Sequence, residues 1–153
     1  IVSSPARFAG GRSVDALVQL FDIGPTILEW AGLNVPDHFE AQSLKSALVG
    51  EPFTGREHVF CEQAGDGNMT GATYLTMIRS RTHKLVHFQG QNLGQLFDLQ
   101  SDPMEKSNLW NDPVMRSTRD GLLRRILDFH IDSTVKTRNG RKAVVAPLDA
   151  EHY

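Results

Sequence analysis

The chain of 153 residues holds a single cysteine, Cys61, so no intrachain disulfide can staple it. Net charge is also scarce. Sixteen Lys and Arg face 18 Asp and Glu, for a formal charge of -2. Without a basic field, nucleic acid and anionic membrane surfaces are excluded as expected partners. No apolar run approaches the roughly 20 residues that a bilayer-spanning helix needs. Internal repeats and low-complexity tracts are missing. The opening residues Ile1 to Asp15 carry no Met and no charged region ahead of an apolar core, so they do not form a signal peptide. Two β-branched residues pass at once into a Pro/Gly/Arg loop, like the tail of a strand whose earlier part lies elsewhere. The expectation is a piece of a longer chain; a terminus created by processing is the alternative. What is present is ordinary for a globular protein: 40% hydrophobic and 22% charged residues, enough for one domain with a real core.

Periodicity orders the elements. Val14 to Leu20 suits an extended segment. Asp22 is placed to cap a short helix, with Pro25 in its first turn, Ile27, Leu28 and Trp30 as apolar residues, and Gly32 as its stop. A second short helix falls in SLKSALVG and ends at Gly50. The pattern then changes to strands. EHVFCEQ places Val59 and Cys61 on one face and His58, Phe60 and Glu62 on the other. AGDGNMTGA is a nine-residue glycine loop. YLTMIRSR and THKLVHFQ form a hairpin, and QLFDLQ follows a further turn. Four closely spaced strands predict an antiparallel sheet. Asp112 and Pro113 open a closing helix over 114–131, whose apolar residues Leu122, Leu123, Ile126, Leu127 and Ile131 need a sheet face to cover. The tail from 136 lacks a period and is expected to be extended or partly disordered. The fold class is therefore α+β: a small four-stranded antiparallel sheet packed against a long C-terminal helix.

Chemistry-bearing residues do not assemble into a known motif. GxSxG, P-loop, dinucleotide-binding and HExxH patterns are all absent. The six histidines, His38, His58, His83, His87, His130 and His152, are scattered, and surface or hydrogen-bonded roles suit them better than metal ligation. Cys61 lacks a facing base and is expected to be a buried, inert thiol. Asn68-Met69-Thr70 fits a glycosylation sequon. Arg79, Arg81 and Lys84 form a positive hairpin, either a solvated face or an anion-facing rim. In QLFDLQSDPMEKSNLW, residues 95–110, Asp102 and Pro103 set a turn, and the whole stretch is explained as a strand-to-helix junction.

Three blocks nonetheless resemble the C-terminal part of sulfatases of the alkaline-phosphatase-like superfamily. They are VDALVQLFDIGPTILEWAGLNVP, YLTMIRSRTHKLVHF with Arg79 and Lys84 at corresponding places, and QLFDLQSDPMEKSNLW. In the last, Phe97 stands where Tyr is usual, while Asp98, Asp102, Pro103, Glu105, Asn108 and Leu109 match. The resemblance covers residues 1 to about 130. It implies that 1–50 is the last edge of a catalytic α/β domain, 51–135 the C-terminal subdomain and 136–153 a tail. It also implies hydrolysis of a sulfate ester by the intact enzyme, with Ca²⁺ and a formylglycine made from Cys in Cys-x-Pro-x-Arg. Cys61 is followed by Glu-Gln-Ala-Gly and does not match that motif, and none of the family's catalytic or metal-binding residues maps onto this chain. The implied partners are a sulfated small molecule or glycan and the remainder of the catalytic domain, in an exported or lysosome-like compartment. Within the chain, the loop from Glu62 to Thr73 is expected to shape the substrate pocket, with Glu62, Gln63, Asn68 and His83 as contact candidates; a mobile surface loop is the alternative. A related phosphodiesterase or phosphonate hydrolase would share this subdomain. A free-standing α+β binding module is the third reading, and it predicts that Val18, Leu20, Ile27 and Leu28 are covered rather than exposed.

Overall fold

A computed structural model describes residues 1–8, 10–66 and 72–144. After an irregular opening, a 3₁₀ turn at Leu20–Asp22 leads into α1 (Ile23–Trp30), and a loop then reaches α2 (Lys45–Val49). Four strands follow, β1 (Val59–Asp66), β2 (Ala72–Arg79), β3 (His83–Phe88) and β4 (Gly94–Asp98), and α3 (Arg116–Val144) closes the chain. The sheet is an antiparallel meander in sequence order, as expected from the short turns.

Register decides which residues meet α3. Phe60 pairs with Ile78, Ile78 with Leu85, and Leu85 with Leu96, so these four lie in one row across the sheet. Ile78, Leu85 and Leu96 are completely buried and form the core with Trp110, Leu122 and Ile126. Each such side chain contributes about 2 kcal/mol by leaving water. Phe60 stacks on Phe129 of α3 with ring centroids 4.1 Å apart, which ties the edge strand to the helix.

The stretch 95–110 works as a junction through its polar side chains. Asn108 Oδ1 accepts from the backbone N–H groups of Leu96 and Trp110, and its Nδ2 donates to the Gly94 carbonyl, all at 3.0 Å. Its amide thus completes the open edge of β4. Asp98 accepts from Gln100 N–H and Ser101 Oγ, and Asp102 accepts from Ser107 N–H at 2.8 Å. Glu105 takes a positive φ of 55° and accepts from Lys84 Nζ at 2.6 Å. Trp110 lies flat against Gly94, where a Cβ would sit 2.2 Å from its ring.

Four expectations change. Asp22 does not cap α1 with its side chain. Its carboxylate is instead buried, accepting from Gln19 and Gln42 N–H at 2.8 Å and from the Arg56 guanidinium. Two amides and a cation offer more than one free helix amide. β1 continues through Ala64 and Gly65 to Asp66, and β2 begins at Ala72, where the glycine loop was expected; residues 67–71 of that stretch lie outside the described residues. α3 begins at Arg116, because Asp112 Oδ1 holds Val114 N–H in a turn first. The helix also runs through 136–144, where an extended tail was expected.

Candidate functional site

A polar cluster lies where the β1–β2 end of the sheet meets α3. Glu62, Thr76 and His87 occupy one cross-strand row, since Glu62 pairs with Thr76 and Thr76 with His87. All three share the helix-facing side with Phe60 and Ile78. Tyr74, two residues before Thr76 on β2, donates its hydroxyl to Glu62 Oε1 at 2.6 Å. From α3, His130 brings Nδ1 to 3.3 Å from the same carboxylate oxygen. Its Nε2 lies 3.3 Å from Thr76 Oγ1, which is buried. His87 Nδ1 is buried without a hydrogen-bond partner. The bond to Glu62, then burial, then the carboxylate's charge push the Tyr74 phenol up to about 12.

Beside this cluster a groove of about 600 Å³ opens between sheet and helix. Tyr74, Thr76, His87, Gln89 and His130 form its polar wall, and Leu123, Ile126 and Leu127 its apolar one. A smaller concavity of about 280 Å³ lies nearer the N-terminal segment, at Arg56, His58, Phe60 and Phe129. It mixes Arg125 and Lys136 with Asp128 and Asp132, so it selects no sign of charge.

The candidates from sequence do not converge. Glu62 belongs to the cluster. Gln63 points to the opposite face of β1 and is exposed. His83 sits at the other end of β3, about 13 Å along the strand from His87. There its Nδ1 meets Thr82 Oγ1 at 2.9 Å and its backbone pairs with Asp98. Asn68, and with it the sequon, lies outside the described residues. Tyr74, Thr76, His87 and His130 were missed as a group. Strand geometry puts Tyr74 and Thr76 on one face of β2, but only the pairing register and the docking of α3 bring Glu62 and His130 to them.

Other sequence expectations are settled by geometry. Cys61 is exposed rather than buried, although Val59, on the same face of the edge strand, is buried. In the positive hairpin, Arg81 is paired with Asp15 at 3.1 Å and Lys84 with Glu105, which leaves little of an anion-binding rim. Among the described residues, no group of three His, Cys, Asp or Glu side chains could hold a metal ion. The donors of the described residues therefore do not fit a Ca²⁺ site. No helix among the described residues is long and apolar enough to cross a membrane.

The family model for the C-terminal region of N-sulphoglucosamine sulphohydrolase matches residues 1–132. The chain belongs to this sulfatase C-terminal family. The resemblance carried by the three blocks is thereby borne out. Relatives of the sulfatase C-terminal chain agree. An arylsulfatase of Clostridium perfringens is 32% identical over 117 residues, covering 76% of this chain and 23% of that protein. An N-acetylglucosamine-6-O-sulfatase of Bacteroides thetaiotaomicron is 26% identical over 114 residues, covering 72% of this chain and 20% of its own length. Among solved structures, the phosphonate monoester hydrolase of Agrobacterium radiobacter superposes with a TM-score of 0.69 at 31% identity, over 80% of this chain and 27% of that one. The sulfatase C-terminal chain thus spans about a quarter of the length of these three proteins.

Proposed function

We propose that this chain is the C-terminal subdomain of an enzyme that hydrolyses sulfate esters. In that reading it organises the pocket and supplies no nucleophile. The family match over residues 1–132 carries the reading. The apolar surface of the N-terminal segment supports it. Val18, Leu20 and Ile27 are 46%, 86% and 60% exposed, and Phe21, Ile23 and Leu33 are uncovered beside them. A self-sufficient binding module would bury these residues; the edge of a larger catalytic domain would present them to its missing neighbours. Residues 1–50 are then the last edge of that domain, 51–135 the subdomain, and the remainder of the enzyme the first partner.

Hydrolysis of a sulfate ester needs a nucleophile, charge stabilisation on the sulfate oxygens and an acid for the leaving oxygen. Formylglycine and Ca²⁺ would supply the first two from outside this chain. Glu62 and the loop that follows it are the parts of this chain proposed to face the organic portion of a sulfated small molecule or glycan. Gln63 and His83 are placed less favourably for that role, the first by direction and the second by distance, and Asn68 lies outside the described residues. A phosphonate or phosphodiester hydrolase is the second reading, favoured by the 31% identity to the Agrobacterium enzyme. The test is the protein expressed from its complete gene. Turnover of an aryl sulfate well above that of an aryl phosphonate is expected. The reverse preference selects the second reading, and no turnover of either overturns both.

A further inference from the structure

We infer that the open part of the β1 edge is the contact between two copies of this protein, joined strand to strand about a two-fold axis centred on Gln63. The inference does not rest on the sulfatase reading.

The two edges of the sheet are finished differently. Along β4, the Asn108 amide and the Leu109 N–H occupy outward groups of Gly94 and Leu96. Along β1 the cover stops early. Gln19 Nε2 donates to the Phe60 carbonyl at 2.7 Å, at the start of the strand. In an antiparallel ladder, alternate residues turn both backbone groups to the same side. The Phe60 carbonyl is met from outside the sheet, so Phe60, Glu62 and Ala64 face outward. β2 agrees. Tyr74, which pairs with Ala64, sends its carbonyl the other way, to Gln89 N–H at 2.9 Å. Among the described residues, no group meets the outward N–H and C=O of Glu62 or Ala64. Residues 61–65 are all exposed, and they include no Lys and no Pro, which commonly blunt such an edge.

The open groups fix the register. Phe60 is already capped, and Gly65, at a φ of 72°, bends the strand beyond Ala64. Glu62 and Ala64 remain. A second copy running antiparallel satisfies both residues of each chain when Glu62 lies opposite Ala64. The two-fold axis then passes through Gln63, normal to the sheet, and α3 of both copies lies on the same side. Each Glu62 exchanges both backbone bonds with Ala64 of the second copy. Gln63 stands directly opposite Gln63 of the second copy on the face away from α3, where each side-chain amide can donate to the other's carbonyl. The charges permit this. Glu62 meets Ala64 rather than an acid, and Tyr74 Oη at 2.6 Å and His130 Nδ1 at 3.3 Å draw its carboxylate inward from the edge. An unrelated extended peptide would find the same backbone groups. The self-matching register, with no like charges directly opposed, favours a second copy.

Sedimentation velocity on the protein expressed from its complete gene tests the inference. A dimer is expected. Gln63→Lys sets two cations directly opposite across the axis and should weaken that dimer about ten-fold or more. Gln63 is exposed, so this variant should keep the wild-type circular dichroism spectrum. Cross-linking locates the contact without relying on it. In a Cys61→Ser background, Gln63→Cys should form a disulfide-linked dimer under mild oxidation. Gln95→Cys, exposed on the same face of the sheet but on β4, should link no more than the Cys61→Ser parent. A protein that stays monomeric at every concentration overturns the inference. Slow exchange of the Glu62 and Ala64 amides in that monomer would show that another segment of the enzyme holds the edge instead. A dimer that withstands Gln63→Lys, or equal cross-linking by Gln95→Cys and Gln63→Cys, overturns it as well. Aryl sulfate turnover, measured on the same samples, reports on the proposed function separately.

Discussion

At the scale of single residues, the chain separates those that hold the fold from those that line the groove. Asp22 is the clearest of the first kind. Burial alone would raise its pKa, but the Arg56 bond, the Gln42 and Gln19 amides and the Arg56 charge more than offset this, and its carboxyl titrates below the usual range. A lowered folded pKa means that the unfolded chain binds the proton more readily. The stabilisation is therefore present above the unfolded value near 3.9 and is lost as pH falls through the folded one. Asp22→Asn should cost about 3 kcal/mol at neutral pH by stranding Arg56, and should flatten the acid limb of the stability profile. Urea melts between neutral pH and pH 3 check both parts; a parallel downward offset at every pH would contradict the linkage. Tyr74 gives the opposite sign. Its folded pKa near 12 holds the proton more tightly than the unfolded phenol, so its contribution is complete below about 10 and disappears as pH rises through 12. The absorbance difference between wild type and Tyr74→Phe should show a phenol titrating near 12, and Glu62→Gln should return it toward 10. A Tyr74 that titrates near 10 in the wild type would dissolve the carboxylate contact on which the groove's polarity depends.

At the scale of elements, the junction between β4 and α3 shows how much sequence reasoning can recover. The stretch 95–110 was legible as a strand, a turn and a helix approach because Asp and Pro announce turns locally. What it did not disclose is why Gly94 precedes Leu96. The reason is Trp110, 16 residues later, lying where a Cβ would have to be. Gly94→Ala should therefore destabilise by about 1–3 kcal/mol through overpacking of an immobile ring. Gly121 is the control within the other element. It lies exposed in α3 with nothing within 4 Å of an added Cβ, so Gly121→Ala should stabilise by about 1 kcal/mol through helix propensity alone. Urea midpoints that moved in the same direction for both substitutions would show that propensity, not packing, governs Gly94. The candidate site was less legible for the same reason. Strand existence follows from alternation within a segment, whereas Glu62, Thr76, His87 and His130 meet through register and helix docking, which no local pattern encodes. Cys61 erred likewise: Val59 on its face is buried and Cys61 is not, a difference along the edge strand that alternation alone does not encode.

At the scale of the molecule, the distribution of exposed apolar side chains is lopsided. The sheet and the inward face of α3 close their own core, while Val14, Val18, Leu20, Phe21, Ile23, Ile27 and Leu33 stand open on the N-terminal segment. This contrast predicts different consequences for one substitution in two contexts. In the 153-residue chain, Leu20→Ser with Ile27→Ser removes exposed apolar surface and should change stability by no more than about 0.5 kcal/mol per site. It should also reduce binding of a hydrophobic dye. In the protein expressed from its complete gene, the same side chains would be buried against the catalytic domain. There the pair should cost about 2 kcal/mol per site, because the transfer free energy is lost and a cavity is left. Melts of the two proteins with and without the substitutions measure the difference directly. A large loss in the short chain would mean that these residues already complete a core of their own. Equal, small effects in both would mean that the face never meets the rest of the enzyme. Either result would remove the structural support for reading this chain as one part of a larger catalytic assembly.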